Sequence, residues 1–287
     1  MSVRVFAPAK INLTLDVGRP RADGMHPLQS VVAFAPGAEC VEATRAETLS
    51  LTVLGSFADA VEADESNLVL RAARALAAAA GVRAPGAALT LVKEYPVASG
   101  IGGGSSDAAA TLRALNALWR LGLAEEALAE IARPLGADVP VCVRASAAYM
   151  TGAGEMFAPL AMPPMHAVLV NPRKPMPTPD VYRQFDAMGL GGDFAPTPPP
   201  RWESPEAAIA GIRAIGNDLI APALALMPAL APLLESLRAD RRTLYASMSG
   251  SGATLFALCA SRADAHGLHA ALSEAHPTCW VRAVHLA

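Results

Sequence analysis

Residues 96–119 set four glycines and two serines directly in front of a segment that favours helix. Gly100, Gly102, Gly103 and Gly104 carry no Cβ, so the backbone there can take positive φ and bring successive N–H groups against a ligand. Ser105 and Ser106 stand where a helix cap belongs, and Ala108 to Leu118 reads as the helix itself. The unpaired N–H groups and positive dipole end of that helix then face the loop, which makes loop and helix together a cradle for phosphate. A glycine-rich hinge before an alanine-rich core helix is the plainer alternative.

Two familiar phosphate loops are excluded. G-x-x-x-x-G-K-[ST] needs a lysine after its last glycine, whereas Ser105 follows Gly104, and counting G-x-G-x-x-G from Gly100 puts Ser105 at the third glycine. The chain of 287 residues, 53% hydrophobic, is long enough for two ordinary cores. A net charge of −3 leaves no basic surplus for a nucleic-acid backbone, so the expected partner is a small molecule. Cys40, Cys142, Cys259 and Cys279 are scattered and form no C-x-x-C pair, which reads as reduced thiols. The first residues lack an apolar signal core, so a cytoplasmic protein is expected. The uncharged run 219–234 is too short for a membrane span and is broken by Pro222, Pro228 and Pro232, so no membrane association is expected.

In chain order, Val3–Phe6 and Ile11–Val17 read as strands around a bend at residues 7–10, with Lys10 beside the bend and Asn12 two residues on, able to share its face. Asp23-Gly24 signals a turn, followed by Met25 and His26. Residues 64–80 read as a helix capped near Ser66 and stopped at Gly81, with Asn67 fitting a cap as well as a ligand contact. A strand over Ala88–Lys93 feeds Pro96. Asp138, in Gly136-Ala-Asp-Val-Pro140, fits a cap or turn carboxylate. A buried strand over His166–Val170 precedes a proline-rich stretch, after which a helix begins near Thr178 and carries Tyr182. Residues 189–200 read as a surface loop. Ser247–Phe256 forms a second small glycine loop between strands. His266 and His269 share a helix without a third ligand, which argues against a metal pair.

Pro-x-x-x-Gly-Ile-Gly-Gly-Gly-Ser-Ser-Asp-Ala-Ala resembles the ATP loop of the GHMP kinases, and the Gly-Gly-Gly-Ser-Ser form resembles a branch that acts on a cytidylyl alcohol in the non-mevalonate route to isoprenoids. Ala-Lys-x-Asn-Leu, the Ala-Asp-Gly-x-His turn and Gly-Ala-Asp-Val-Pro resemble further segments of that branch, and Asn217-Asp-Leu and the 247–256 loop its later motifs. Met25 departs from it, standing where the branch usually has tyrosine.

The resemblance implies an α+β, two-domain GHMP kinase fold, residues 1–155 and 156–287, with ATP and substrate in the cleft between the domains. It implies that Lys10 and Asp138 are catalytic, Asp138 as the base. Pro96, Val97, Ala98, Ser99, Gly100, Ile101, Gly102, Gly103, Gly104, Ser105 and Ser106 would hold ATP, with Asn67 near the adenine. Asn12, Met25, His26 and Tyr182 would hold the cytidylyl substrate. Mg2+ would arrive with ATP, with Ser106 within its reach and no acidic ligand assigned. A mevalonate-type or homoserine-type kinase, or a nucleotide-binding module without activity, are the alternatives.

Overall fold

The computed structural model describes residues 2–286. In chain order it forms β1 (Ser2–Phe6), β2 (Ala9–Asn12), β3 (Asp16–Val17), β4 (Leu28–Ala35), β5 (Cys40–Thr44), β6 (Leu49–Leu54), α1 (Leu68–Ala79), β7 (Ala87–Val92), α2 (Gly103–Trp119), α3 (Glu125–Ala132) and α4 (Val139–Arg144). There follow β8 (Ala148–Thr151), β9 (Met156–Pro159), β10 (Met165–Asn171), α5 (Thr178–Ala187), α6 (Pro205–Ile215), α7 (Ile220–Leu226), α8 (Leu230–Ala239), β11 (Thr243–Met248), β12 (Leu255–Cys259), α9 (Arg262–Ala275) and β13 (Trp280–Leu286). The mixed α+β content agrees with expectation. The chain divides into two compact units, each assembled from separate segments. One comprises the chain up to Lys10, Pro36–Val97 and Gly102–Ser146; the other comprises Ile11–Ala35, Ala98–Ile101 and everything from Ala147 onward.

The first unit is a sheet in the order β1-β5-β7-β6, antiparallel except for the parallel β6–β7 pair. Ala87, Leu89 and Leu91 alternate inward along β7, the period-two signature of a half-buried strand. Helix α2 packs on β1 and β5, flanked by α1 and α4. Helix α1 turns Val69, Leu70, Ala72, Ala73, Leu76 and Ala77 toward the core, a stripe at helical spacing. Its cap is Asn67 and not Ser66: the Asn67 carboxamide oxygen accepts from Val69 N at 2.9 Å, while Ser66 Oγ donates to Asp64. Gly81, at φ +65, ends it as expected.

The second unit holds two sheets. One runs β2-β4-β8-β9, with β3 on β4; of β2, Ile11 and Asn12 belong to this unit, and Ala9 and Lys10 to the first. The strand expected over residues 11–17 is interrupted, because the Thr14 hydroxyl, in place of a strand carbonyl, accepts from Val31 N at 2.9 Å. The other sheet, β11-β12-β10-β13, is wholly antiparallel, and β10 is buried over nearly its full length. Leu219, Leu230, Leu233 and Leu234 from the uncharged run, with Leu237 just beyond it, pack here with Val168, Val170, Leu255 and Leu268. That run forms α7 and α8, and among the described residues no helix is long and apolar enough to cross a membrane. All four cysteines are free thiols, three of them buried.

Candidate active site

The glycine run ends in a helix that starts earlier than the residue types suggest. Gly102 adopts φ +61, Ser106 N donates to Gly102 O at 2.9 Å, and α2 runs from Gly103, so Ser105 and Ser106 lie inside its first turn and cap nothing. Glycine is a poor helix former, yet the packed face from Ala108 to Leu118 carries the helix back through Gly103 and Gly104. The consequence is chemical. Gly103, Gly104 and Ser105 present backbone N–H groups that no described residue accepts, at the positive end of a helix of 17 residues. Ser106 is turned away from this face: its hydroxyl is buried and donates to Pro8 O at 2.7 Å, beside Cys142 Sγ at 3.4 Å.

The same unit brings Lys10 to that helix end. A Cβ on Gly102 would stand 3.1 Å from Lys10 Cβ, a tight contact at a φ of +61 that side chains rarely adopt, so the backbone here passes against the lysine. Lys10 lies within β2 rather than at the bend, with its side chain 4% exposed, and its Nζ is 2.6 Å from Asp138 Oδ1. Asp138 occupies the N-cap position of α4 but its side chain makes no capping bond. The carboxylate is aimed at Lys10. At 38% exposed, it retains an oxygen, Oδ2, that no described residue engages. Burial first, and then the Asp138 charge, push the neighbouring Cys142 thiol up to about 12, so it stays protonated and is no nucleophile.

In the second unit, Ala98–Ile101 are held by their own carbonyls. Met176 N donates to Ala98 O and Thr254 N to Ser99 O, both at 3.0 Å, and Ser249 Oγ donates to Gly100 O at 2.8 Å. Gly100, at φ +74, has no room for a Cβ, which would fall 2.4 Å from Ser249 O. Ser249 Oγ also accepts from Asn12 N at 3.0 Å, while Asn12 Nδ2 donates to Ser30 Oγ at 2.8 Å. The Asn12 amide keeps its oxygen and its second N–H for a ligand. The expected turn closes with Gly24 N donating to Arg21 O at 2.9 Å and Met25 N to Asp23 Oδ1 at 2.9 Å, leaving Met25 exposed. His26 is buried against Tyr182, with ring centroids 4.9 Å apart, and Phe185, at 5.8 Å, and its Nε2 is 2.8 Å from Asp186 Oδ1. Asn67 has a narrower part. Its oxygen caps α1 and its Nδ2 donates to Glu62 O at 2.6 Å, so both ends of the amide are engaged.

Residues 67–146 match the GHMP kinases N terminal domain, and residues 202–278 match GHMP kinases C terminal. A Hyphomonas neptunium protein named 4-diphosphocytidyl-2-C-methyl-D-erythritol kinase is 49% identical over 284 residues, 97% of this chain and 94% of the relative. A Cereibacter sphaeroides protein of the same name is 46% identical, covering 98% of each. The chain belongs to the GHMP kinases. A solved structure of 4-(cytidine 5'-diphospho)-2C-methyl-D-erythritol kinase superimposes with a TM-score of 0.76 at 33% identity, over 99% of this chain and 98% of that one. A Cytophaga hutchinsonii homoserine kinase shares the fold, with a TM-score of 0.69 at 17% identity.

The structure of this GHMP kinase brings to the expected site residues two that sequence reasoning passed over. Ser249 and Asp186 each touch an expected site residue. Ser249 lies inside the noted 247–256 glycine loop, which was its available signal, and Asp186 stands one helical turn beyond Tyr182 on α5. Among the described residues no group of three His, Cys, Asp or Glu side chains gathers to hold a metal ion.

Proposed function

We propose that this chain transfers the γ-phosphoryl group of ATP, bound with Mg2+, to the 2-hydroxyl of 4-diphosphocytidyl-2-C-methyl-D-erythritol, a cytoplasmic step toward isoprenoids. The observation that carries the kinase chemistry is the 2.6 Å Lys10–Asp138 pair beside the open N-terminus of α2. Phosphoryl transfer needs anchored phosphates, an aligned hydroxyl and a proton acceptor. The loop and the Gly103–Ser105 N–H groups anchor the triphosphate. The free Oδ2 of Asp138 takes the hydroxyl proton as the oxygen bonds to γ-phosphorus and the β–γ bridging bond breaks to release ADP. The Lys10 ammonium holds the carboxylate in place and counters the charge developing on the attacking oxygen. Full-length relatives named for this substrate support its choice.

Specificity for the base falls to His26 and Tyr182, with Met25 adding an apolar contact. A carboxylate oxygen has no hydrogen to give, so the proton between His26 and Asp186 belongs to Nε2. In the neutral imidazole Nδ1 is then an acceptor, which suits the 4-amino group of cytosine and not the 4-oxo group of uracil. His26→Ala is expected to lower kcat/KM for the cytidylyl substrate by about 5- to 150-fold, the cost of leaving a buried polar partner unmatched, with the KM for ATP nearly unchanged. Steady-state kinetics on the purified variant checks this, and an unchanged kcat/KM would remove His26 from base recognition.

A further inference from the structure

The first unit buries three ionisable side chains that the transfer chemistry does not use. Lys93, immediately after β7, donates from Nζ to Glu39 Oε1 at 2.7 Å and to Asp107 Oδ2 at 2.6 Å, and all three side chains are almost wholly buried. Burial would pull Lys93 down, but Asp107 and Glu39 outweigh it and hold the ammonium above its usual range. Burial, then the Asp107 charge, push Glu39 up to about 8. Such a cluster is an expensive way to fill space, since apolar side chains of like volume commonly stabilise as well or better. Asp107 Oδ1 is buried without a partner among the described residues, a further cost.

The connections of the cluster explain its presence. Glu39 Oε2 accepts from Glu94 N at 2.9 Å and Tyr95 N at 2.7 Å, the two residues leading into Pro96. Asp107 sits in α2 just past Ser106, on the far side of the loop. One ammonium therefore ties the chain running into the phosphate loop to the helix running out of it. It also lies under the loop's exit, since a Cβ on Gly103 would be 3.1 Å from Lys93 Nζ and 3.6 Å from Glu39 Oε1.

We propose that Lys93, Glu39 and Asp107 are positioning residues that clamp the two ends of the phosphate loop and so set the aim of the Gly103, Gly104 and Ser105 N–H groups at the triphosphate. The clamp rests on the ATP-binding role of the loop. Small misplacements of binding groups cost up to about a hundredfold, so Lys93→Met and Asp107→Ala are expected to raise the KM for ATP about tenfold or more, with kcat at saturating ATP within about threefold. Asp107→Asn, which keeps an oxygen facing Lys93, should return the KM to within about twofold of the wild-type value. If the single variants fail to fold, Lys93→Met combined with Asp107→Leu fills the site with apolar volume, and apolar contacts lack the direction to fix the loop, so the KM for ATP should still rise. Folded variants with a lowered Tm but a wild-type KM for ATP would overturn the clamp and leave the cluster a structural one. Calorimetric ATP binding by the wild-type protein separates the two failures: no binding there overturns the loop's role itself and the clamp with it.

Discussion

Replacing Asp138 by asparagine is expected to lower kcat by about 10²–10⁴, the usual loss when a general base is removed, and to leave the KM for ATP within about twofold. Asparagine is the informative substitution because its carboxamide oxygen still accepts from Lys10, so the ammonium, only 4% exposed, keeps a partner. Alanine would strand that charge at a cost of roughly 3–5 kcal/mol and confuse lost chemistry with lost stability. No cap is sacrificed either, since the Asp138 side chain makes no bond to the α4 backbone. Steady-state kinetics with a thermal melt of the same preparation decides the matter. A loss of tenfold or less would return Asp138 to a structural role.

Valine at Gly104 is expected to weaken ATP binding by about 10²-fold or more while leaving the fold intact, because its branched side chain would stand over the N–H groups that receive the triphosphate. Gly104 is the suitable glycine for this test. It is exposed, its backbone is open to any residue, and the nearest atom to an added Cβ is Leu68 Cδ1 at an ordinary 3.5 Å. Gly100 and Gly102 would add backbone strain, and a side chain on Gly103 would press on Lys93. A calorimetric titration giving wild-type ATP affinity for Gly104→Val would remove the helix start from the phosphate site.

Much of this site is legible in the sequence because its parts are local. The strand, glycine loop and helix order around Pro96 follows from residue type, as do the Asp23-Gly24 turn and the glycine loop between β11 and β12. What escapes is set by partners far along the chain. Nothing near Asp138 says that its carboxylate faces a lysine 128 positions earlier; the resemblance supplied that pairing, and the structure supplies the distance. The early start of α2 escapes because helix propensity at Gly103 and Gly104 is overridden by the packed face beyond them. Strand β5, Cys-Val-Glu-Ala-Thr, is too short for alternation to stand out, and the Glu39 beside it reads as a surface charge until Lys93 and Asp107 are seen to meet it. Helix α6 is a different case: Ser204 followed by Pro205 and Glu206 is a plain helix start that the expectations omitted, and the Ser204 hydroxyl does accept from Ala207 N.

The central claim, phosphoryl transfer to a cytidylyl alcohol, is met most directly by ADP release from the purified wild-type protein with ATP, Mg2+ and a panel of alcohols: 4-diphosphocytidyl-2-C-methyl-D-erythritol, mevalonate, homoserine and galactose. The site described here predicts the highest kcat/KM for the cytidylyl compound, with the phosphate recovered on its 2-hydroxyl. Faster turnover of mevalonate or homoserine would contradict the substrate assignment while leaving the kinase chemistry standing, and ATP binding without turnover of any of the four would contradict both.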